Sequence, residues 1–224
     1  IQALTKNIFY KGEIVMKKAK RLTAVILSAL MAVSAFSALP VSAAEVESNT
    51  SAVSSDENFI SGDYEYTLLD DGTIEISKYV GNDSDVTIPD EIDGKKVTSI
   101  GEWAFSSLLN LTNITIPNSV INIGNGAFSG CTSLKSINIP DNITEIQRYT
   151  FSNCISLKQL VLSKNIKSIE WGAFENCTLL EKIIIYDKAE DIADNAFEGC
   201  DKLTIYGIKG SYAEQYANEH NIPF

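Results

Sequence analysis

Residues 123–140 read Ile-Gly-Asn-Gly-Ala-Phe-Ser-Gly-Cys-Thr-Ser-Leu-Lys-Ser-Ile-Asn-Ile-Pro, and the pattern returns along the rest of the chain. Phe105, Phe128, Phe151, Phe174 and Phe197 fall 23 residues apart without a slip. Ala104, Ala127, Ala173 and Ala196 precede them, with Thr150 once in place of Ala. Ile100, Ile123, Ile146, Ile169 and Ile192 keep the same interval. So do Leu111, Leu134, Leu157, Leu180 and Leu203, and Cys131, Cys154, Cys177 and Cys200. Chance does not hold five columns in phase over five copies, so the chain is built of repeats.

A 23-residue period lies within the range of leucine-rich repeats. In Leu134-Lys135-Ser136-Ile137-Asn138-Ile139 the three apolar residues cannot share a face at a period of two. A bend followed by a short strand puts Ile137 and Ile139 together. Pro117 and Pro140 stop that strand. A second extended piece follows at Val120-Ile121-Asn122-Ile123, then a Gly-containing turn into the Ala-Phe-x-x-Cys segment. One coil cannot bury its own apolar edge, so the coils must stack. At about 4.8 Å per strand, five coils rise roughly 20–25 Å.

A solenoid also needs ends that cover its last apolar faces. Tyr64-Glu65-Tyr66-Thr67-Leu68, the turn Asp70-Asp71-Gly72 and Thr73-Ile74-Glu75-Ile76 predict a β-hairpin. It leads into Val86-Thr87-Ile88-Pro89, a strand like those of the repeats. After Leu203-Thr204-Ile205-Tyr206-Gly207, the pair Ser211 and Glu214 forms a capping box for a short helix. Tyr212, Ala213, Tyr216 and Ala217 share one face of that helix. The sequence thus predicts a β-rich leucine-rich-repeat solenoid of five 23-residue coils over 97–206, with an N-terminal β-hairpin cap at 59–96 and a C-terminal helical cap at 207–224.

The N-terminal quarter lies outside this pattern. Met16 is followed by Lys17, Lys18, Lys20 and Arg21, an apolar run from Leu22 to Leu39, and Pro40-Val41-Ser42-Ala43-Ala44. That order describes a secretory signal peptide at 16–43, cleaved after Ala43 or Ala44. An uncleaved anchor is the rival reading, at the lower edge of membrane-spanning length and diluted by Thr23, Ser28, Ser34 and Ser37. Residues 1–15 fit no such signal and read as untranslated leader, because Lys11-Gly12-Glu13 can back-translate to a ribosome-binding sequence ahead of Met16. Residues 44–58, polar and without an aromatic before Phe59, read as a flexible linker.

The motif Ala-Phe-x-x-Cys-x-x-Leu-x-x-Ile-x-Ile-Pro resembles the BspA-like leucine-rich repeats of bacterial cell-surface and secreted proteins. The leading hairpin with Ile92-Asp93-Gly94-Lys95-Lys96-Val97 and the closing Tyr206-Gly207 and Gly210-Ser211-Tyr212-Ala213-Glu214 resemble the same family's terminal pieces. The resemblance runs from about Tyr64 to Phe224. It implies an extracellular, non-catalytic binding or adhesion module whose ligands differ between members. The chain departs from the motif where Ser163 and Tyr186 replace Pro, Gln147 and Glu170 replace Gly, and Leu108 replaces the first Cys.

Composition narrows the chemistry. The 224 residues carry 18 Lys and Arg against 29 Asp and Glu, a net charge of −11. Such a balance excludes a nucleic-acid partner, since affinity for phosphates rests on Lys and Arg. Of the acids, 15 lie between Glu45 and Glu102 with only three lysines, whereas 103–224 holds 13 acids and nine bases. Acidity therefore marks one end of the molecule rather than the repeats. Four cysteines in an exported protein usually mean two disulfides. Here they share one column, whose parallel Cβ vectors disfavour the bridging dihedral, and buried free thiols are the better reading. A linear column cannot surround a metal ion, and Asp83-Ser84-Asp85 lacks the spacing of a calcium loop. His220, the single histidine, has no nucleophile elbow or orienting acid beside it and reads as a surface or capping residue. No catalytic residue, metal or cofactor is predicted.

The exposed strand columns are where a ligand would be read. One runs Asn113, Ser136, Gln159, Lys182; the next runs Thr115, Asn138, Val161, Ile184 and is followed by Tyr186. Val161, Ile184 and Tyr186 form either an interaction patch or a run of residues chosen for strand propensity alone. The expected partner is an extracellular protein or glycan, with self-association of an envelope component as the alternative. Trp103 and Trp171 lie near the turn before Phe, as ligand contacts or as local packing.

Overall fold

The computed structural model describes residues 58–224. The readings for 1–15, for 16–43 and for the linker up to residue 57 lie outside the described residues. No helix among those described is long and apolar enough to cross a membrane.

The N-terminal cap begins as an antiparallel meander of β1 (Phe59–Ser61), β2 (Tyr64–Leu68) and β3 (Ile74–Tyr79). Gly72 closes the β2–β3 turn by donating to the Leu69 carbonyl at 2.9 Å, while Asp71 Oδ1 accepts the Thr73 amide at 2.9 Å. Next come β4 (Asp85–Thr87), β5 (Glu91–Ile92) and β6 (Lys95–Ile100). Strands β5 and β6 form a second hairpin through Asp93 and Gly94, at φ +51° and +72°, the two-residue turn that suits strand twist. Strand β6 then lies parallel to β3, so the cap ends and the solenoid begins within one sheet.

Each repeat adds two short strands. In chain order they are β7 (Asn113–Thr115), β8 (Asn122–Ile123), β9 (Ser136–Ile137), β10 (Glu145–Ile146), β11 (Gln159–Val161), β12 (Ser168–Ile169), β13 (Lys182–Ile184), β14 (Asp191–Ile192) and β15 (Thr204–Tyr206). The odd members stack in one parallel column and the even members in another. Strand β4 pairs with β7 in the register of the repeats, Asp85 opposite Asn113. It therefore supplies a rung ahead of the five that carry the Phe column, and the solenoid makes about six turns.

The middle strand residues, such as Ile114, Leu160, Ile183 and Ile205, are buried, and those on either side are exposed or half-buried. Behind them runs an aromatic spine. Phe105, Phe128, Phe151, Phe174 and Phe197 succeed one another at centroid spacings of 5.5, 5.6, 5.3 and 5.1 Å. Tyr79 stacks on its first ring at 5.3 Å and Tyr216 meets its last at 6.0 Å. Both tyrosines keep a polar end for the rim: the Tyr216 hydroxyl donates to the Ala193 carbonyl at 3.2 Å.

The terminal helix, α1 (Tyr212–Glu219), buries Ala213, Tyr216 and Ala217. Ser211 Oγ accepts the Glu214 amide at 3.4 Å, as a capping box requires. The reciprocal bond differs, because the Glu214 carboxylate takes the Gly210 amide instead of that of Ser211.

On the turn side of the stack runs a third ladder. The amides of Trp103, Phe105 and Ser107 donate to Asn125, Ala127 and Ser129 of the next coil at 2.9, 2.8 and 2.8 Å, and Gly126, Phe128 and Gly130 repeat this onto Arg148, Thr150 and Ser152. Residues two before and two after Phe hold positive φ, which turns the alternate amides one way: Trp103 +56°, Gly126 +60°, Tyr149 +56° and Gly172 +61° before it, and Ser107, Gly130, Asn153, Asn176 and Gly199 after it.

The two strand columns are interrupted by a seam. Strand β9 does not pair with β11, nor β8 with β10, so both columns break between the same two coils. Elsewhere an amide such as Leu162 donates to the next coil's main-chain carbonyl, here Ile184. One rung before the seam, between the coils of β7 and β9, the Asn138 side chain substitutes: its Oδ1 accepts the Ile116 amide and its Nδ2 donates to the Ile116 carbonyl, both at 2.8 Å. Across the other column Gln147 Nε2 donates to Asn122 Oδ1 at 3.0 Å. The turn ladder, the Phe128–Phe151 stack and the Cys154 thiol on the Phe128 carbonyl run through unbroken, and Ser163 and Asn165 side chains reach the Asp141 carbonyl across the same step.

Candidate functional site

The exposed flanks of the odd-numbered strands make the strand face. Register places Asn113 beside Ser136, Gln159 beside Lys182, and Val161 beside Ile184. The seam divides these residues into two groups, with Asn113, Thr115, Ser136 and Asn138 before it and Gln159, Val161, Lys182, Ile184 and Tyr186 after it. At the division lies an open recess of 620 Å³. Seven of the nine strand-face residues line it; Asn113 and Thr115 do not.

Their side chains are not equally free. Asn138 spends its amide on Ile116, and Asn113 Nδ2 donates to Asp85 and to Thr112 Oγ1 at 3.4 and 3.2 Å. Val161 is 53% exposed and Tyr186 36%, with no polar duty that would explain the exposure. The apolar column also continues further than the repeat motif indicates. Tyr206 stands opposite Ile184 in β15, 47% exposed, and its ring lies 4.7 Å from Lys182 Nζ. Sequence reasoning grouped Tyr206 with the closing segment and left it out of the strand face. The signal was present in Thr204-Ile205-Tyr206, which repeats the alternation of Lys182-Ile183-Ile184.

What the face offers is therefore an apolar strip of Val161, Ile184 and Tyr206 beside a polar strip of Gln159 and Lys182. Lys182 lies beside the apolar strip, and its ammonium over the Tyr206 ring is a cation–π contact.

The remaining candidates have local partners. All four cysteines are free and buried. Each thiol donates to the Phe carbonyl of the preceding coil: Cys131 to Phe105 at 3.0 Å, Cys154 to Phe128 at 3.2 Å, Cys177 to Phe151 and Cys200 to Phe174 at 3.1 Å. Burial pushes the Cys131 thiol up to about 11 and raises Cys154 as well, which keeps both as unreactive thiols. His220 stacks on Tyr216 at 4.0 Å, with Nδ1 on the Tyr216 carbonyl at 2.9 Å and Nε2 3.6 Å from Asp194. It closes the end of α1. Among the described residues no three His, Cys, Asp or Glu side chains converge on one point.

This architecture is shared. The sequence pattern of the BspA type leucine rich repeat region matches residues 78–210 in six copies. A leucine rich cell surface protein of Faecalibacterium prausnitzii superposes with a TM-score of 0.65 at 30% identity, over 72% of this chain and 42% of its own. The leucine-rich repeat protein of T. pallidum gives 0.63 at 30% identity, over 66% of this chain and 71% of its own. One from Bacteroides ovatus gives 0.61 at 34% identity, over 67% and 41%. The chain thus spans about two fifths of the first and third of these proteins. No curated protein matches it.

Proposed function

From membership of the BspA-type leucine-rich-repeat family, to which this chain belongs, we propose that the protein is a non-catalytic recognition module acting outside a bacterial cell. Its strand face binds an extracellular partner, protein or glycan, and the apolar strip favours a protein. The observation that carries this is the apolar column Val161, Ile184 and Tyr206, in which Val161 and Tyr206 are 53% and 47% exposed, Ile184 is half-buried, and Val161 and Ile184 line the seam recess. Exposed apolar residues in a contiguous row on a monomer mark interaction sites, and an aromatic with an adjacent cation is the composition of interface anchors. The cell-surface description of the F. prausnitzii relative and the signal-like segment at 16–43 support the location.

The test is a binding screen of the purified protein against extracellular matrix proteins and glycans, with Ile184→Asp as the control. A saturable partner that Ile184→Asp weakens at least roughly tenfold supports the reading, because a buried carboxylate lacks a partner there. A screen in which Ile184→Asp weakens none of the partners found rejects the strand face. Sedimentation of the same two proteins distinguishes the other occupant of this surface. Concentration-dependent dimers lost in Ile184→Asp would assign the face to a second copy of the chain.

A further inference from the structure

We propose that the turn side carries a second recognition surface, an aromatic ridge that binds a neutral, extended β-1,4-linked glycan. Trp103 and Tyr149 occupy the same place in alternate coils, and both hold a left-handed backbone at φ +56°. A bulky residue there is strained. The intervening coils use Gly126 and Gly172, at φ +60° and +61°. A Cβ on Gly126 would collide with the six-membered ring of Trp103, and one on Gly172 would lie 2.7 Å from the Tyr149 ring. Each ring therefore rests on the glycine of the next coil, and the alternation of aromatic and glycine is a steric requirement.

That packing leaves Tyr149 half-buried and both tryptophans about half exposed. Trp103 is 49% exposed and Trp171, edge-on to Tyr149 at 5.0 Å, is 51% exposed. The ridge is rigid, because a ring seated on a glycine loses little further freedom on binding. Two coil rises separate Trp103 from Tyr149, about 10 Å at the usual strand spacing. That is the length of one disaccharide repeat in an extended β-1,4 chain, in which every second sugar presents the same C–H face. An α-1,4 chain coils and cannot keep this register. Beside the rings runs a column of hydrogen-bonding groups, Glu102, Asn125 and Arg148, with Asn125 Nδ2 already oriented on Glu102 Oε1 at 2.9 Å. Glu175 also lies beside the Gly172 site. Carboxylates outnumber the one guanidinium, which disfavours uronate or sulfate chains and leaves neutral sugars.

Both tryptophans of the chain sit on this ridge, so intrinsic fluorescence reads it directly. Cellohexaose and chitohexaose are titrated as probes, with maltohexaose as the coiled control. The expected result is a saturable change with at least one β-1,4 hexaose and none with maltohexaose. Trp103→Gly with Tyr149→Gly installs what the column itself uses elsewhere, and it should weaken binding at least roughly tenfold by isothermal titration. Trp171→Ala, an exposed change away from the strained backbone, should weaken it several-fold and keeps the test intact if the double variant misfolds. Ile184→Asp, on the strand face, should leave glycan binding unchanged. No response to either β-1,4 hexaose, an equal response to maltohexaose, or undiminished binding in Trp171→Ala would each overturn the proposal.

Discussion

At the scale of single residues, the repeat columns divide into those that fill space and those that close hydrogen bonds. Cysteine does both. It is small enough for the corner after Phe, and its thiol supplies a second donor to a Phe carbonyl that already accepts an amide of its own coil, as Cys131 N–H donates to Phe128 O at 3.2 Å. One column of identical spacing made the thiol reading legible in the sequence. The donor role was not, because it joins residues of different coils. The left-handed positions were half legible. Glycine at 126, 130, 172 and 199 announces them, but Trp103 and Tyr149 in the same columns do not, since bulky residues rarely take that conformation. Gly126→Ala tests the steric account. The left-handed alanine should cost about 1 kcal/mol and the collision with Trp103 roughly 1–3 kcal/mol more. In a Trp103→Gly background only the first part should remain. Urea unfolding of the four proteins in this cycle measures the difference, and strict additivity would show that ring and glycine do not interact.

At the scale of elements, the repeat strands β7 to β15 are two or three residues long and have no stability of their own; their neighbours hold them. The seam is where that support thins. Its origin is local. Asn138, on the last rung before it, turns its amide back onto Ile116 of the preceding coil and away from the next. Gln147 replaces the family's glycine and bridges to Asn122 with a side chain where main-chain bonds would otherwise run. The sequence marks both residues as irregular, Gln147 openly and Asn138 only as one polar residue among several. Periodicity averages over coils, so it reports the stack and hides a break in it. The amides of Lys158 and Val161 should therefore exchange with solvent about tenfold or more faster than those of Glu181 and Ile184, their equivalents one coil on. Glu181 N–H is bonded to Lys158 O at 2.8 Å, whereas no main-chain partner meets Lys158 N–H. Equal protection at the two coils would mean that the columns are continuous in solution. An opening seam also lets the two parts of the recess adjust to a partner, which places the softest part of the strand face between Asn138 and Val161.

At the scale of the whole molecule, cohesion comes from one continuous apolar core closed by tyrosines, with little help from charge. Among the described residues the one Lys–carboxylate pair is Lys164 with Asp141 at 3.6 Å, with side chains 64% and 69% exposed. Such a pair is worth about 0–1 kcal/mol. The titrating groups that matter are the closing hydroxyls and the buried thiols of Cys131 and Cys154. Burial, then the negative neighbours Tyr79, Asp63 and Asp83 when ionised, push Tyr64 up to about 12 from an ordinary 10.0. Burial likewise raises Tyr79 and Tyr216 at the two ends of the spine, and holds Cys131 at about 11 against an ordinary 9.0. All of these groups are neutral when protonated, and all bind their proton more tightly folded than unfolded. The stability they contribute is therefore complete below the unfolded values and declines as pH rises through the folded ones. The thermal midpoint followed by circular dichroism should stay level from pH 7 to 9, begin to fall as the thiol window opens, and drop steeply between pH 10 and 12 as the tyrosines join. Tyr216→Phe keeps the ring that closes the spine and removes one titrating hydroxyl, so it should lower the midpoint at neutral pH through the lost bond to Ala193 while flattening the alkaline fall. A midpoint that holds to pH 11.5 in the parent protein would mean that these groups reach solvent in the native state, and that the ends of the stack are open.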